Sequence, residues 1–402
     1  MTKSGRPKTG DAAERVLRAI PLIRDVPAAD WDRVALPDAA TANPFVSHAF
    51  LLALEDSGCV GERTGWLPQH LILDGTDGRL VAAAPAYLKS HSQGEYVFDH
   101  GWADAFQRAG GQYYPKLQIA VPFSPVPGPR LLVAPDVDRA EHEALLAAGA
   151  VELMRQLDLS SVHITFLQEQ AWQHLGSIGY LQRTDQQFHW ANAGYATFDD
   201  FLGALASRKR KTIRRERQQA QGVEGLTIER VTGSAITEAH WDAFFAFYND
   251  TGNRKWGRPY LNRRFFSMLG ASMASQCLLV LASRDGRPIA GALNLIGGDC
   301  LYGRYWGATE HHPCLHFEIC YYQAIDYAIE MKLPRVEAGA QGEHKLARGY
   351  MPAPTYSAHW IENASFRKAV ARYLTEERQA VAEQREMLAE YGPFRKVVEE
   401  RD

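Results

Sequence analysis

Residues that can exchange protons or hold charge concentrate in one stretch of the chain, between residues 292 and 350. The stretch combines carboxylates, histidines, cations, an amide and aromatic rings, at Tyr302, Arg304, Trp306, His316, Glu337, Gln341, Glu343, His344, Lys345 and Arg348. Carboxylates and imidazoles can accept protons, whereas guanidinium and ammonium groups stabilise negative charge. The stretch therefore predicts a ligand-binding or catalytic site, with these residues as candidates for catalysis or substrate binding.

Three of these residues are candidates for the catalytic base: Glu337, Glu343 and His344. Histidine has an unperturbed pKa close to neutral pH, so it can accept and release a proton under working conditions. Glu337 has a structural alternative, because a salt bridge to Arg335 or Arg304 would engage its carboxylate within a sheet. The sequence does not distinguish among the three candidates.

Cations and aromatic rings in the same stretch indicate substrate contacts. Arg304, Lys345 and Arg348 are candidates to bind an anionic group of a substrate, with ordinary surface charge as the alternative. Tyr302 and Trp306 share a face with Arg304 if the strand is regular, because side chains alternate along an extended chain. These two rings can line an acyl or sugar site, although a place in the hydrophobic core explains them equally well.

The secondary structure predicted for this stretch brings its polar residues together. Short apolar-aromatic segments at 291–296 and 301–306 flank a Gly-Gly-Asp turn. Apolar residues then recur at helical spacing over Phe317–Met331, and Pro334 ends that helix before a second strand, Arg335–Gly339. In such a strand–helix–strand unit the two strands are parallel, and ligands bind beyond their carboxyl ends, where both polar clusters fall.

Global properties of the chain narrow the class of protein. Its 402 residues suffice for two domains, and a net charge of −3 gives no bulk attraction to nucleic acid or to an anionic surface. Five cysteines, an odd number, do not indicate a disulfide framework. We find no apolar run of membrane-spanning length and no signal-peptide core, so we expect a cytoplasmic protein that can still contact a membrane surface.

Histidines and cysteines between residues 311 and 320 raise the question of a metal site. His312, His316 and Cys320 follow one another at intervals of four, a spacing that suits zinc ligands on a helix. Pro313 interrupts that register and the chain has no CxxC pair, so no metal site is predicted.

Two segments 208 residues apart resemble one another. Residues 71–88 and 279–296 are identical at seven of eighteen positions, including the Asp-Gly-Arg of a hairpin turn. Unrelated hairpins can share turn residues, but here the same elements follow each copy in the same order. We therefore predict two copies of one fold, with a disordered tail at 1–20, a first domain at 21–190, a second and catalytic domain at 191–365, and a C-terminal helix at 366–402.

A dense run of cations opens the second half. Seven of the ten residues in Arg208–Arg217 are arginine or lysine, and Arg210, Arg214 and Arg217 share one helical face. Like charges at this spacing repel each other, so we expect an anionic partner: a phosphate-bearing substrate, an acidic patch or a lipid head group. The alternative is a solvated helix face that neighbouring acidic residues partly neutralise.

The segment Ser90–Leu117 is rich in aromatic, glycine and polar residues and has no clear periodicity. A loop of this length in a compact domain is more often functional than a simple connection. His100, Trp102 and Lys116 are candidates for the same substrate cleft, because ligand sites commonly lie between domains.

Several long motifs carry a resemblance to a known family. They are YLKSHSQGEYVFDHGWADA at 87–105, YYPKLQIAVPFSPVPGPRLL at 113–132, FHWANAGY at 188–195, SRKRKTIRRER at 207–217, RKWGRPYL at 254–261, and GALNLIGGDCLYGRYWG, LHFEICYYQAIDYAI and EAGAQGEHKLARGY in the stretch described first. With these motifs the chain resembles the FemAB-like acyltransferases of the GNAT superfamily, in the branch of peptidoglycan biosynthesis/recognition proteins. The resemblance implies an α/β (α+β) fold of two tandem GNAT-type acyl-CoA N-acyltransferase domains, with mixed central sheets flanked by helices.

The resemblance also implies an N-acyltransferase that moves an acyl group from a thioester, acyl-CoA or acyl carrier protein, to a small-molecule or lipid-linked amine of the cell envelope. In GNAT enzymes the donor's pyrophosphate sits at the N-terminus of the crossover helix. The corresponding loop, Gly307–Leu315, lacks the usual Gln/Arg-x-x-Gly-x-Gly/Ala pattern, as does Val126–Pro135 in the first half. Two alternatives therefore stay open: a Fem-type transferase that takes aminoacyl-tRNA, and a non-catalytic protein that recognises an envelope precursor.

Overall fold

A computed structural model describes residues 16–255, 259–339 and 342–395, with residues 253–255 and 343 described by their backbone alone. The α-helices are α1 (Ala28–Ala35), α2 (His48–Asp56), α3 (His100–Arg108), α4 (Arg139–Gln156), α5 (Glu169–Ser177), α6 (Phe198–Ala204), α7 (Ser207–Gln221), α8 (Glu238–Lys255), α9 (Arg263–Met273), α10 (Leu315–Phe317), α11 (Gln323–Glu330) and α12 (Ala364–Glu390). A π-helix, Glu318–Tyr322, joins α10 to α11. Short 3-10 helices occupy Ile23–Asp25, Ala39–Thr41, Pro44–Val46, Glu62–Thr64, Gly233–Ala235, Ala274–Gln276 and Glu343–Arg348.

The β-strands form two sheets. They are β1 (Leu17–Ile20), β2 (Trp66–Pro68), β3 (His70–Asp74), β4 (Leu80–Ala84), β5 (Ala86–Lys89), β6 (Lys116–Ile119), β7 (Leu132–Val133), β8 (Ser161–Leu167), β9 (Leu181–Ala191), β10 (Leu226–Thr232), β11 (Cys277–Arg284), β12 (Arg287–Ile296), β13 (Cys300–Ala308), β14 (Arg335–Glu337) and β15 (Met351–Ile361). A small sheet has the order β1-β3-β4-β7, and an eleven-stranded sheet has the order β10-β11-β12-β13-β14-β9-β15-β8-β6-β5-β2. The predicted fold class, mixed sheets flanked by helices, is confirmed.

The last strand of each half lies beside the parallel strands of the other half. β9, from the first half, pairs with β14, and β15, from the second half, pairs with β8. β9 and β15 also pair with each other along most of their length. The two halves therefore share one continuous sheet, and we keep the division into 21–190 and 191–365 as a proposal about the two copies of the fold.

The repeated segments form corresponding hairpins, β3–β4 in the first half and β11–β12 in the second. Gly78 and Gly286, which stand 208 residues apart, both adopt the left-handed conformation, with φ of 78° and 77°. Glycine takes this conformation without a steric penalty, which explains why the turn residue is the same in both copies.

Two segments differ from their predicted secondary structure. The crossover helix expected as one piece contains the π-helix. The segment Ser90–Leu117 contains α3, which buries Trp102 and Ala103 on one face. The basic run Arg208–Arg217 lies unbroken within α7, and α12 forms the C-terminal helix expected from residue 366, over Ala364–Glu390.

Candidate active site at the end of two parallel strands

β13 and β14 run side by side for a short distance and then part. Their pairing covers Cys300–Tyr302 on β13 and Arg335–Glu337 on β14, after which β14 ends and β13 continues to Ala308. Among the residues that the structure describes, no strand pairs with β13 beyond Tyr302 on the side that β14 occupied, so we call this the open edge of β13. Such an edge can hydrogen-bond an extended ligand by strand addition.

A buried ion pair lies at the point where β13 and β14 part. The Glu337 carboxylate lies 3.0 Å from Nη2 of Arg304 and 3.5 Å from Nε of Arg335. The side chains of Glu337 and Arg304 are each only 2% exposed. Both carboxylate oxygens contact guanidinium groups, so Glu337 occupies the salt bridge described as its structural alternative and orients the two strands.

A β-bulge at Arg304 changes which side chains share a face. Leu293 on β12 pairs with Tyr305, whereas its neighbour Asn294 pairs with Gly303, so Arg304 is the extra residue. Tyr302 then packs against the ring of Phe45 at 5.4 Å, in the core. The expectation that Tyr302 and Trp306 share one face of a regular strand is wrong, because a bulge reverses the alternation beyond it.

Trp306 instead belongs to an aromatic cluster beyond the point where β13 and β14 part. Its ring lies 4.9 Å from the ring of His316, which in turn lies 6.0 Å from that of His344. His344 is exposed, and its Nε2 lies 2.9 Å from the hydroxyl of Tyr321. An imidazole that is open to solvent and oriented by a hydroxyl is well placed to exchange a proton with a substrate.

Lys345, next to His344, has its ammonium buried at the tip of β14. Nζ donates hydrogen bonds to the carbonyls of Ala338 at 2.6 Å and Gly339 at 3.1 Å. Burial, followed by repulsion from Arg304, lowers the pKa of Lys345 from 10.5 to about 8. The loop that carries His344 is thus tied to the end of β14 by a lysine.

This lysine predicts a pH dependence of stability. Between about pH 8 and 10.5 the unfolded chain retains a proton that folded Lys345 has lost, so this residue makes stability rise with pH across that window. Relative to a Lys345→Met variant, the free energy of unfolding of the wild type should increase by roughly 2 kcal/mol between about pH 8 and 10. Urea unfolding at the two pH values measures the difference. A variant of exposed Lys211 should run parallel to the wild type, and a parallel profile for Lys345→Met would refute the assignment.

A cavity of about 320 Å³ lies between α7 and the loop that follows β14. Its lining residues are Arg208, Lys209, Thr212, Ile213, Glu216, Ala347 and Arg348. Arg348 crosses one wall, with its guanidinium 3.4 Å from the centre of the Phe317 ring and 2.8 Å from a carboxylate oxygen of Glu216. Since Glu216 engages Arg348, the exposed Arg208 and the half-buried Lys209 remain to give the cavity its positive charge.

The three arginines predicted to bind an anion have different surroundings. Arg217 is paired with Glu318 at 3.0 Å and Asp326 at 2.6 Å, an acidic patch within the protein itself. Arg214 pairs with Asp199 at the exposed surface. Arg210 is half-buried and is not among the lining residues of the cavity. The structure thus brings neighbouring cations of α7, rather than these three, to the cavity.

The candidates from Ser90–Leu117 lie elsewhere in the sheet. Lys116 is fully buried on β6, with its ammonium 2.8 Å from the carboxylate of Glu95. Trp102 packs 5.0 Å from the ring of His359, and His100 is exposed at the start of α3. These contacts place them on the part of the sheet formed by β6, β8 and β15, apart from the tips of β13 and β14.

The remaining candidates cannot be placed fully. Gln341 lies outside the described residues, and Glu343 is described by its backbone alone.

Two further residues of the site were not among the candidates predicted from the sequence. His189 stands opposite Glu337 on β9, and burial lowers its pKa. Arg130, 1% exposed, reaches the same region from the first half. The FHWANAGY motif contains His189 and the motif at 113–132 contains Arg130, but neither residue is distinguished there from its neighbours.

Two kinds of feature, a metal site and a membrane-spanning helix, are absent from the described part of the chain. No group of three or more His, Cys, Asp or Glu side chains there is arranged to hold a metal ion. No helix within the same residues combines the length and the apolar character needed to cross a bilayer.

Comparisons with known proteins agree on the fold. The sequence profile of the FemAB-like family, described as peptidoglycan biosynthesis/recognition, matches residues 22–396. No curated protein sequence matches the chain. The crystal structure of FemX superposes with a TM-score of 0.54 at 13% identity, over 86% of this chain and 98% of that chain.

Two further structures are similar. One is the C-terminal domain of a putative lysylphosphatidylglycerol synthetase from Agrobacterium fabrum, with a TM-score of 0.51 and 11% identity over 87% of this chain and 96% of that chain. The other is a protein of unknown function from Bacteroides thetaiotaomicron, with a TM-score of 0.52 and 12% identity over 83% of this chain and 97% of that chain. At such identities the likeness establishes a shared fold.

Proposed function

Because the chain belongs to the FemAB-like family of peptidoglycan biosynthesis/recognition proteins, we propose that it transfers an acyl group, aminoacyl groups included, to an amine of a cell-envelope precursor. One observation carries the proposal. Trp306, on the open edge of β13, packs against His316, which packs against the solvent-exposed imidazole of His344, and a tyrosine hydroxyl orients that imidazole. An open strand edge and an oriented proton acceptor are two of the parts that acyl transfer to an amine requires.

In this mechanism the His344 imidazole removes a proton from the attacking amine as its nitrogen bonds to the carbonyl carbon of the donor. Backbone N–H groups on the open edge of β13 donate to the carbonyl oxygen as it becomes negative. The bond to the leaving oxygen or sulfur then breaks, and the imidazolium returns its proton to that atom. Lys345 and the Arg304–Glu337 pair act as positioning groups, since all three are buried.

The N-terminus of the crossover helix, which begins with α10, helps to distinguish between the possible acyl donors. Glu318 is fully buried near the start of this helix and pairs with Arg217. That pair is neutral overall, and the Gly307–Leu315 loop before the helix lacks the usual pyrophosphate-binding pattern, which disfavours acyl-CoA. The cavity beside α7 offers cations instead. These observations favour an aminoacyl-tRNA donor over the thioester, with the reaction in the cytoplasm, where such donors are made.

Removing the cavity's cations should weaken binding of the anionic donor. For an Arg208→Gln/Lys209→Gln double variant we expect about a 10-fold loss of affinity for aminoacyl-tRNA at low salt. The slope of log affinity against log salt should also fall by roughly 1 to 2, because each phosphate contact contributes about 0.7 to 0.9. Filter binding across a salt series measures both quantities. An Arg214→Gln/Arg215→Gln variant removes the same charge from α7 outside the cavity, and an equal loss in it would contradict a local site.

The activity itself is tested by supplying each donor class with the same acceptor. The purified chain is incubated with a peptidoglycan precursor and either aminoacyl-tRNA or acyl-CoA, and the precursor's mass is measured. We expect it to increase by one aminoacyl group with the tRNA donor. An increase only with acyl-CoA would reverse the choice of donor. If the precursor binds but its mass does not increase with either donor, the transferase activity is rejected. The remaining function is then recognition of the precursor without catalysis.

A further inference from the structure

The C-terminal helix α12 presents a row of exposed apolar side chains. Three large ones are Tyr373, exposed by 49%, Met387, by 59%, and Tyr391, by 70%. At 3.6 residues per turn, these three and the exposed Ala369 and Ala380 fall within about 40° of one another around the helix axis. We call these five residues the α12 stripe. Single exposed apolar side chains are ordinary, but a row of them along most of one helix indicates a contact surface.

The α12 stripe is separate from the face by which the helix packs on the sheet. Val370 and Leu374, the buried residues of the helix, lie roughly 100° around the axis from the centre of the stripe. Arg183 on β9 donates hydrogen bonds of 2.8 Å and 2.7 Å to the two carboxylate oxygens of Glu377. The helix is thus fixed before any partner arrives, which lowers the entropic cost of a contact through its stripe.

A charged flank runs beside the stripe, on the side away from the sheet, and changes sign along the helix. Its exposed members, within about 80° of one another, are in chain order Lys368, Arg372, Glu376, Glu383, Glu386 and Glu390. The macrodipole favours the opposite order, acidic residues at the start of a helix and basic residues at its end. Consistent with that reversal, α12 has no acidic residue in its first turn and no basic residue in its last. Within a single helix this arrangement is mildly unfavourable, so the charges require another explanation.

We propose that two copies of the chain associate through the α12 stripe, with their helices antiparallel about a twofold axis at Ala380. Tyr373 of each copy then lies against Met387 of the other, and Ala369 lies against Tyr391. Ala380 meets its own counterpart, where a small side chain lets the helices approach closely. The 27 residues of α12 span roughly 40 Å at 1.5 Å per residue, so the contact extends over several turns. A twofold, self-complementary contact is the commonest arrangement in homodimers.

The charged flank favours this occupant over others. In an antiparallel pair related by a twofold axis, the same flank of each helix comes together, so Arg372 of one copy meets Glu386 and Glu390 of the other. A parallel pair would instead set each of these carboxylates against its counterpart. A nucleic acid or an anionic bilayer would be repelled by the acidic half of the flank. The pairing does not rest on the proposed function, because α12 supplies no residue to the site at β13 and β14.

Reversing the charges tests the pairing. Sedimentation equilibrium of the full chain over a concentration series should show a monomer–dimer equilibrium. Arg372→Glu, and separately Glu386→Lys/Glu390→Lys, should each weaken the dimer at least about 10-fold, because like charges then meet twice across the axis. A mixture of the two variants should recover the wild-type affinity as a heterodimer, since each supplies the charges that the other lacks. All three positions are exposed, so the unfolding temperature of either variant should not fall.

A pair of cysteine variants tests the position of the axis. Ala380→Cys places a thiol where the two copies meet, so oxidation with diamide should cross-link it into a dimer above the level that the wild type shows. Ala389→Cys, at another exposed alanine of α12 on the far side of the helix from the stripe, should stay at the wild-type level. The proposal is overturned by a chain that remains monomeric throughout the concentration series. It is equally overturned by a mixture that associates no better than either charge variant alone, or by equal cross-linking of the two cysteine variants.

Discussion

Arg304→Met is expected to lower the free energy of unfolding by about 3–5 kcal/mol, among the largest single effects available in this chain. The substitution leaves the Glu337 carboxylate buried beside the half-exposed Arg335 as its remaining ionic partner. Breaking a buried ion pair by removing one partner costs this much, because the group left behind is desolvated without full compensation. Glu337→Gln should destabilise in the same direction. Urea unfolding at neutral pH measures both variants.

The double variant Arg304→Met/Glu337→Gln distinguishes a pair from two independent residues. If the side chains act as a pair, the double variant should be more stable than the sum of the single losses predicts, with a coupling energy of roughly 1–3 kcal/mol. Asp199→Asn, which disrupts the exposed pair with Arg214, serves as the control and should change stability by less than about 0.5 kcal/mol. Additive losses at Arg304 and Glu337 would show that the contact contributes little.

His344→Ala is expected to lower kcat by about 100- to 10,000-fold, the range that general base catalysis contributes. The side chain is exposed, so the folded fraction should hardly change. Because a lost base affects the transition state more than substrate binding, KM should stay near its wild-type value. The pH profile adds a specific signature: the limb that reports deprotonation of the imidazole should disappear. Steady-state kinetics with the donor found active in the mass assay provides these values.

Tyr321→Phe tests the positioning of that imidazole. It removes the hydroxyl 2.9 Å from His344 and keeps the ring, so we expect a smaller loss, about 10-fold in kcat, with the pH limb shifted rather than lost. His311→Ala removes another exposed histidine and should leave both kcat and the pH profile unchanged. If His344→Ala retains the wild-type rate and pH profile, the base is another residue, and Glu343 and His189 become the next to examine.

Much of the fold follows from local sequence. The hairpin turns at Gly78 and Gly286, the strands after them, and α12 are each specified by residues close in the chain, and they were predicted for that reason. The two-copy organisation follows from the repeated segment in the same way. The positions at which local reasoning fails are those where a distant residue intervenes, such as Trp102, which is buried by α3 against His359 within a segment that has no clear periodicity.

The sequence by itself determined the kinds of residue available for chemistry and the strand ends that carry them: Glu337 on β14, and His344 and Lys345 in the loop beyond it. Only the tertiary structure decided which of them face solvent. A bulge at Arg304 placed Trp306 on the face opposite to buried Tyr302, and a guanidinium engaged Glu337, while His344 stayed exposed. The physical reason is that burial and ion pairing depend on neighbours brought from other strands, and no local spacing encodes those neighbours.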